Sequence, residues 1–456
     1  MTLLADLQAL LPAERVSAAT ADLTQHAQDQ SAHPAAPPDV VVWPESTAEV
    51  SAVLRYADAH AIPVTAWGAG SSLEGNPIPV RGGIVLDLTR LNRILAVHAA
   101  DFQVTVQPGL FYKDMNKELA RQGLFFAPDP GANASLGGML ANNAAGIRTV
   151  KYGATRDNVL ALEVVLADGR VIRTGSRSVK QSAGYDLTHL FVGSEGTLGV
   201  ITEATLRLFP LPEHFSAATA AFATVEAAAG AVFEIMGAGL EPSALELVDR
   251  TAAAIINESG GFDLALAPNL FLEFTGASLA ALEERLGVAE DICRAHGCQA
   301  FRPGVGRDER ARLWEARHHA FEAHLRHFPG QAYIITDFGV PISQYPALVA
   351  YASETMARLN FQGSILSHAG DGNAHVVVFF PPDDAATRAA VAEFNTRLVE
   401  RALALGGTCT GEHGVGVGKQ KFMAREHGAA LDVMRQIKHL LDPRGLLNPG
   451  KVLAEN

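Results

Sequence analysis

The segment SHAGDGNAHVVVFF (367–380) sets His368 and His375 on either side of a Gly-Asp-Gly turn. Further along, CTGEHGVGVGK places Glu412 beside His413. Two imidazoles and one carboxylate suit a borderline divalent cation and leave coordination positions open for a substrate. Spacing does not choose between zinc, manganese and iron. A plainer reading stands beside this one. The chain has 16 histidines, most of them expected at the surface or satisfied in the core. Asp371 and Asn373 are also residues that turns favour.

The 42 glycines are the other chemical signal, because they cluster. VTAWGAGSSLEGNPIPVRGG (64–83) follows a strand but fails the dinucleotide fingerprint: Leu73 stands at the third glycine position, and Pro77 and Pro79 forbid the helix. GVGVGKQ (414–420) fails as a P-loop, with His413 where a glycine is required and Gln420 where Ser or Thr should follow the lysine. What remains at Gly68, Ala69, Gly70, Ser71 and Ser72 is a helix-free loop that fits either an anion nest or a pair of tight turns. Residues 128–159 read as a long loop nearly free of large apolar side chains, and 191–208 carries Gly193, Gly196 and Gly199 ahead of a strand. Three such clusters suggest backbone wrapped around a large, extended, anionic ligand.

These residues need elements to hold them. At 456 residues with 48% hydrophobic and 19% charged residues, the chain is long enough for two or three domains with real cores. A net charge of −13 argues against a nucleic-acid partner. Cys293, Cys298 and Cys409 suit buried thiols of a reducing compartment. Residues 1–37 read as an N-terminal helical segment with leucines at helical spacing, lacking the character of a signal or transit peptide. Residues 38–212 alternate short strands with glycine-rich turns and few helices, notably Thr47 to His60 behind a Ser46/Thr47 cap and Leu110 to Gln122. Residues 213–407 repeat strand–helix–strand units, which predicts an antiparallel sheet with helices on one face. Residues 408–456 turn glycine-rich again and are expected to pack back on the first domain. The fold class is α+β. No stretch is apolar enough to span a membrane, so the expected location is cytoplasmic, with peripheral membrane contact left open.

WGAGSS, the stretch DPGANASLGGMLANNAAG followed by YG and RDNV, and GSEGTLGVIT resemble the FAD domain of the vanillyl-alcohol-oxidase/cresol-methylhydroxylase (PCMH) superfamily. The resemblance implies a PCMH-type FAD-binding domain and a cap domain. It sets the pyrophosphate against Gly68, Ala69, Gly70, Ser71 and Ser72, next to Trp67 and Gly75. Pro128, Asp129, Ala134, Ser135, Gly137, Gly138, Asn142, Gly146, Gly153, Glu195, Gly196, Gly199, Val200, Ile201 and Asn448 would meet the remainder of the cofactor. Covalent attachment in that superfamily uses His, Cys or Tyr. Neither 66–76 nor 128–147 holds one, so non-covalent FAD is expected.

HAGDGNAH, GEHGVGVGK, TDFGVPIS and the ending LLDPRGLLNPGKV are similar to FAD-dependent D-2-hydroxyacid dehydrogenases, nearest to the cytochrome-type D-lactate dehydrogenases. That resemblance makes His368, His375 and Glu412 the metal ligands, His413 the catalytic base and a substrate contact, and Asn373 and Arg317 further substrate contacts. Trp314, Arg317, His318 and Phe321 share one helical face, consistent with a pocket wall. By its own surroundings Arg317 reads as a solvated helix residue. The implied reaction clamps the carboxylate on Arg317, takes the hydroxyl proton on His413 and sends the C2 hydride to flavin N5. With no C-x-x-C-H or cluster-binding cysteine set, electrons must pass to an external acceptor: cytochrome c, an electron-transfer flavoprotein or a quinone system. Dicarboxylate-specific relatives carry a lysine before the VP segment. Here Thr336 and Asp337 stand there, and no lysine occurs between Phe328 and Lys419. A second carboxylate would lack its partner and face Asp337, which favours D-lactate. Glycolate-oxidase-like and D-2-hydroxyglutarate-dehydrogenase-like activities are the alternatives.

Overall fold

Three short apolar runs, Val40–Val42, Ile84–Asp87 and Val64–Trp67, pair in parallel, with Val16–Ser17 added antiparallel at one edge. Runs this apolar must be covered on both faces. The helices Leu3–Leu10 and Thr47–His60 cover one face, burying Leu7, Leu11, Val50, Val53 and Leu54 against Val40, Val42, Ile84 and Leu86. Ser46 caps the second helix by accepting from the Glu49 amide at 3.3 Å. The other face gathers Val41, Val85 and Trp67. These elements belong to the computed structural model of the chain, which describes residues 2–260, 262–304, 311, 314, 315, 317 and 319–454. His318 lies outside the described residues.

Two units divide the chain. The first comprises 1–145, 153–211 and 412–456, the second 146–152 and 212–411. Beside its parallel sheet, the first unit has a five-stranded antiparallel sheet in the order Ile94–His98, Gln103–Val106, Val200–Arg207, Val159–Val165, Val171–Gly175. Its core takes Met115 and Leu119 from the helix Tyr112–Ala120 and Leu136, Met139 and Leu140 from the helix Leu136–Asn142.

That last helix corrects the expectation of an unbroken loop over 128–159. Leu136–Asn142 and Thr149–Tyr152 are helical, and Arg156–Asn158 makes a 3₁₀ turn. Two glycines in the first helix weaken its propensity and hid it. Its three large apolar residues at i, i+3 and i+4 anchor it, Ser135 caps it by accepting from the Gly138 amide at 3.3 Å, and Asn143 ends it in the left-handed region at φ 51°. Gly137 is there for space, since a Cβ would come to 2.7 Å from Pro108 Cβ.

The second unit is built on an eight-stranded antiparallel sheet. Its order is Ala300–Gly304, His214–Ala221, Asn269–Gly276, Ala244–Val248, Gln362–His368, Asn373–Phe380. Both Ala332–Ile335 and Phe338–Gly339 pair with the last of these. One face (Leu245, Leu247, Leu270, Leu272, Val376, Val378) is buried under Val225–Gly237, Leu279–Ala295, Tyr345–Leu359 and Ala385–Ala404. The opposite face, with Ala244, Val248, Phe271, Leu366, Val377 and Phe379, packs on Arg250–Glu258 and Ala320–His327. Because side chains alternate, the residues that continue this second face are Glu246, His368, Asn373 and His375. Among the described residues no helix is long and apolar enough to cross a membrane.

Candidate active site

In the first unit, the strand Val64–Trp67 runs out into residues 68–72. Trp67 is buried, and His26 packs edge-on against it with ring centroids 4.9 Å apart. His26 is held by Asp87 (Nε2 to Oδ2, 3.0 Å) and by the Asp22 carbonyl (2.7 Å). Burial disfavours the charged imidazole, but those two partners outweigh it and keep the pKa above its ordinary value. Beyond Trp67 the backbone turns through Gly70 at φ 64°. Among the described residues, the amides of Ala69, Gly70, Ser71 and Ser72 donate to no protein acceptor. A row of unclaimed amides around a left-handed residue is an anion nest. Gly68 lies so close to the helix-capping residue that a Cβ would overlap Ser135 Oγ. Orphan amides and a backbone too close-packed for a side chain fit a dinucleotide cofactor's pyrophosphate.

Other residues expected at the cofactor have visible local duties. Asp129 accepts from the Tyr112 hydroxyl at 2.7 Å. Val200 and Ile201 are built into the sheet and buried in the core, and Gly199 just before them lies so close to Val164 that a Cβ would collide with it. Gly75 donates its amide to Asp29 at 2.9 Å, and Gly153 abuts Asp157. Gly146 falls in the 146–152 segment of the second unit, apart from the other glycines of the set. Pro128 is buried, whereas Ala134 and Gly196 are partly exposed.

Glu195 shows what part of the constellation is for. Its buried carboxylate accepts from the amides of Val415 at 2.6 Å and Gly416 at 2.9 Å, and from Asn76 Nδ2 at 2.5 Å. Asn448 Nδ2 donates to the Glu195 carbonyl at 2.7 Å and the Asn76 carbonyl at 2.9 Å. Asn142 Nδ2 donates to the His413 carbonyl at 3.2 Å. Two residues expected at the cofactor, Glu195 and Asn142, thus fasten the loop that carries Glu412 and His413, and a third, Asn448, holds Glu195. Burial pushes the Glu195 carboxyl above the usual carboxylate range, against the pull of its three donors. Nearby, burial brings Lys451 down to about 8 even with Glu195 and Asp29 opposing it. Glu195→Gln would turn one acceptor oxygen into a donor facing an amide, and an unsatisfied buried group costs about 1–3 kcal/mol. Hydrogen exchange over 412–418 is therefore expected to accelerate in that variant. Unchanged protection there would show the tether to be dispensable.

In the second unit the sheet register assembles the histidines. Leu366 pairs with His375 and His368 with Asn373, while Leu247 pairs with Ser367, which sets Glu246 across from His368. The two imidazoles meet edge-on at 5.3 Å. His368 Nδ1 lies 2.9 Å from both oxygens of Glu246. His375 Nδ1 lies 3.2 Å from the Thr336 carbonyl, closer than its 3.8 Å approach to Asp337. With Nδ1–H engaged in each ring, Nε2 is the nitrogen left with a lone pair, as a metal site requires. The chemistry of this donor pair fits a divalent cation.

Arg317 is buried rather than solvated, with Nη2 2.6 Å from Glu246 Oε2 and, among the described residues, no acceptor for its Nε. A buried guanidinium with an open donor suits a small carboxylate. Asn373 donates both amide hydrogens, to Asp337 Oδ1 at 2.8 Å and the Phe338 carbonyl at 3.0 Å, so it can offer a ligand only its carbonyl oxygen. Asp337 is fully buried and accepts from Asn373, from the Thr410 hydroxyl at 2.7 Å and from the Gly411 amide at 2.9 Å. Glu246 was missed from sequence, although a lone glutamate in the otherwise apolar strand SALELV was the available signal.

The comparisons agree with this division of labour. Residues 38–175 match the family described as FAD binding domain, and 211–452 match FAD linked oxidases, C-terminal domain. The chain is 43% identical to a protein named probable D-lactate dehydrogenase, mitochondrial, from Danio rerio, over 96% of this chain and 89% of that one. It is 40% identical to D-lactate dehydrogenase (cytochrome), mitochondrial, from Arabidopsis thaliana, over 91% of this chain and 73% of that one. The solved structure of 4-ethylphenol oxidase from Gulosibacter chungangensis, in its isoeugenol complex, superposes with a TM-score of 0.82, covering 99% of this chain and 97% of that one. At 19% identity that likeness establishes the fold, the PCMH type. Matched in both halves and along nearly its whole length, the chain belongs to the FAD-linked oxidases and is an FAD-binding oxidoreductase.

Proposed function

We propose that the protein oxidises a D-2-hydroxy acid, D-lactate before others, to the 2-oxo acid, using non-covalent FAD and a divalent cation and passing the electrons to an external acceptor. The observation that carries this reading is the pair His368 and His375, brought ring to ring by the sheet register with Nδ1 engaged in each. The relatives named D-lactate dehydrogenase support the choice of substrate. Glu412 follows Gly411 directly in the chain, and the Gly411 amide is fastened to Asp337, the residue nearest His375 in register. That continuity makes Glu412 the natural third ligand.

Bound FAD supplies a hydride acceptor, and a cation on His368, His375 and Glu412 a Lewis acid that acidifies the substrate hydroxyl. Arg317 binds the carboxylate through donors that Glu246 leaves open. Asn373, with both amide hydrogens committed, contacts the substrate only through its carbonyl oxygen and so cannot pair with the carboxylate. His413 takes the hydroxyl proton. With no lysine between Phe328 and Lys419, a second carboxylate would find no partner there, which favours a monocarboxylic acid.

Anaerobic mixing tests this directly. D-lactate should bleach the flavin, L-lactate should not, and prior chelation should abolish the bleaching. Equal bleaching by both enantiomers, or full bleaching after chelation, would overturn the stereochemical or the metal assignment respectively.

A further inference from the structure

Glu246 is fully buried, with no measurable exposure. It stands in the strand Ala244–Val248, where its neighbours on the same face, Ala244 and Val248, are apolar. A carboxylate in such a place is costly unless its partners are charged or strongly donating. Among the described residues it has two: His368 Nδ1 at 2.9 Å from both oxygens, and Arg317 Nη2 at 2.6 Å from Oε2. One rigidly mounted carboxylate therefore holds a cation-site histidine and the anion-binding arginine together.

We propose that Glu246 is a positioning residue that sets the distance between the carboxylate clamp and the cation site, and thereby the preference for 2-hydroxy over 3-hydroxy acids. The proposal rests on the functional reading above. In a 2-hydroxy acid the hydroxyl and carboxylate sit on adjacent carbons. A 3-hydroxy acid inserts one more carbon, adding about 1.5 Å along the chain. Glu246 cannot yield to that, because its strand is paired on both sides, by Asn269–Gly276 and Gln362–His368. Its hydrogen bond also fixes the His368 tautomer, so the same side chain governs cation affinity.

The test uses the FAD-loaded enzyme and two variants. Glu246→Gln keeps the shape but loses the charge. Glu246→Asp keeps the charge and withdraws it by one methylene. Zinc affinity, titrated against a chromophoric chelator, should fall about 10–100-fold in Glu246→Gln, with FAD content at the wild-type level. In Glu246→Asp the ratio of kcat/KM for D-lactate to that for D-3-hydroxybutyrate should fall at least tenfold. Should Glu246→Gln fail to accumulate as folded protein, the Glu246→Asp ratio and zinc titration carry the test alone. Wild-type zinc affinity and wild-type discrimination in the variants would overturn the assignment of Glu246. A wild-type enzyme that binds no cation would instead overturn the functional reading and this proposal together, and that outcome is seen before any variant is made.

Discussion

His413→Ala should slow anaerobic flavin reduction by D-lactate by about a hundred- to ten-thousand-fold, the range expected when a general base is removed. Structure alone should suffer little, because the loop is held by its main chain. The His413 carbonyl accepts from Asn142, and the amides of Val415 and Gly416 are bound to Glu195, none of which involves the imidazole. FAD content and zinc affinity should therefore remain at wild-type values while the rate collapses. The pH–rate profile supplies a second readout: its acid limb, arising from protonation of the base, should vanish in the variant. A substrate-binding role alone would instead raise KM and leave that limb in place. Full activity in His413→Ala would remove the residue from the mechanism and direct attention to other acceptors near the hydroxyl.

Gly68→Ala should yield a protein with little or no flavin. The added methyl overlaps Ser135 Oγ, and the next nearest atom, Ser135 Cβ, lies at 3.4 Å, an acceptable contact. The conflict is thus with a single oxygen. Ser135 cannot easily turn away, because that oxygen caps the helix Leu136–Asn142. Either the cap is lost, at about 0.5–2 kcal/mol, or the strand end carrying the nest moves. Moving the nest displaces the orphan amides of Ala69 to Ser72 from the geometry that suits an anion. FAD affinity is expected to fall at least a hundredfold by fluorescence titration. Gly68→Ala combined with Ser135→Ala removes the offending oxygen and should recover at least tenfold of that loss despite the missing cap. A double variant as colourless as the single one would show that the close approach at Gly68 serves some other neighbour.

The sequence made parts of this legible for identifiable reasons. Glycine clusters marked a place of close backbone approach at one strand end, and Gly68 and Gly137 do stand where a Cβ would collide. The same glycines concealed the helix Leu136–Asn142, whose stability comes from tertiary burial of three side chains and not from propensity. Arg317 read as solvated because its segment is rich in arginine, whereas its burial depends on a strand nearly seventy positions earlier in the chain: it is Glu246 that receives it. The surroundings of Asp337 were illegible for a related reason, because its donors Asn373, Thr410 and Gly411 lie far along the chain. Contacts made across long sequence separations were the ones residue types could not disclose.

The alternation along the central strands of the second unit has an evolutionary corollary. His375 sits between Ala374 and Val376, and Glu246 between Leu245 and Leu247, so working residues and hydrophobic anchors are interleaved one for one. A register slip of a single residue would turn imidazole toward the helical layer and valine toward the ligand. Descendants of this chain could not drift in small steps along that axis. New chemistry would have to be gained through side chains delivered by helices, as Arg317 is, while the strands pass on the histidine pair and the core as one heritable block.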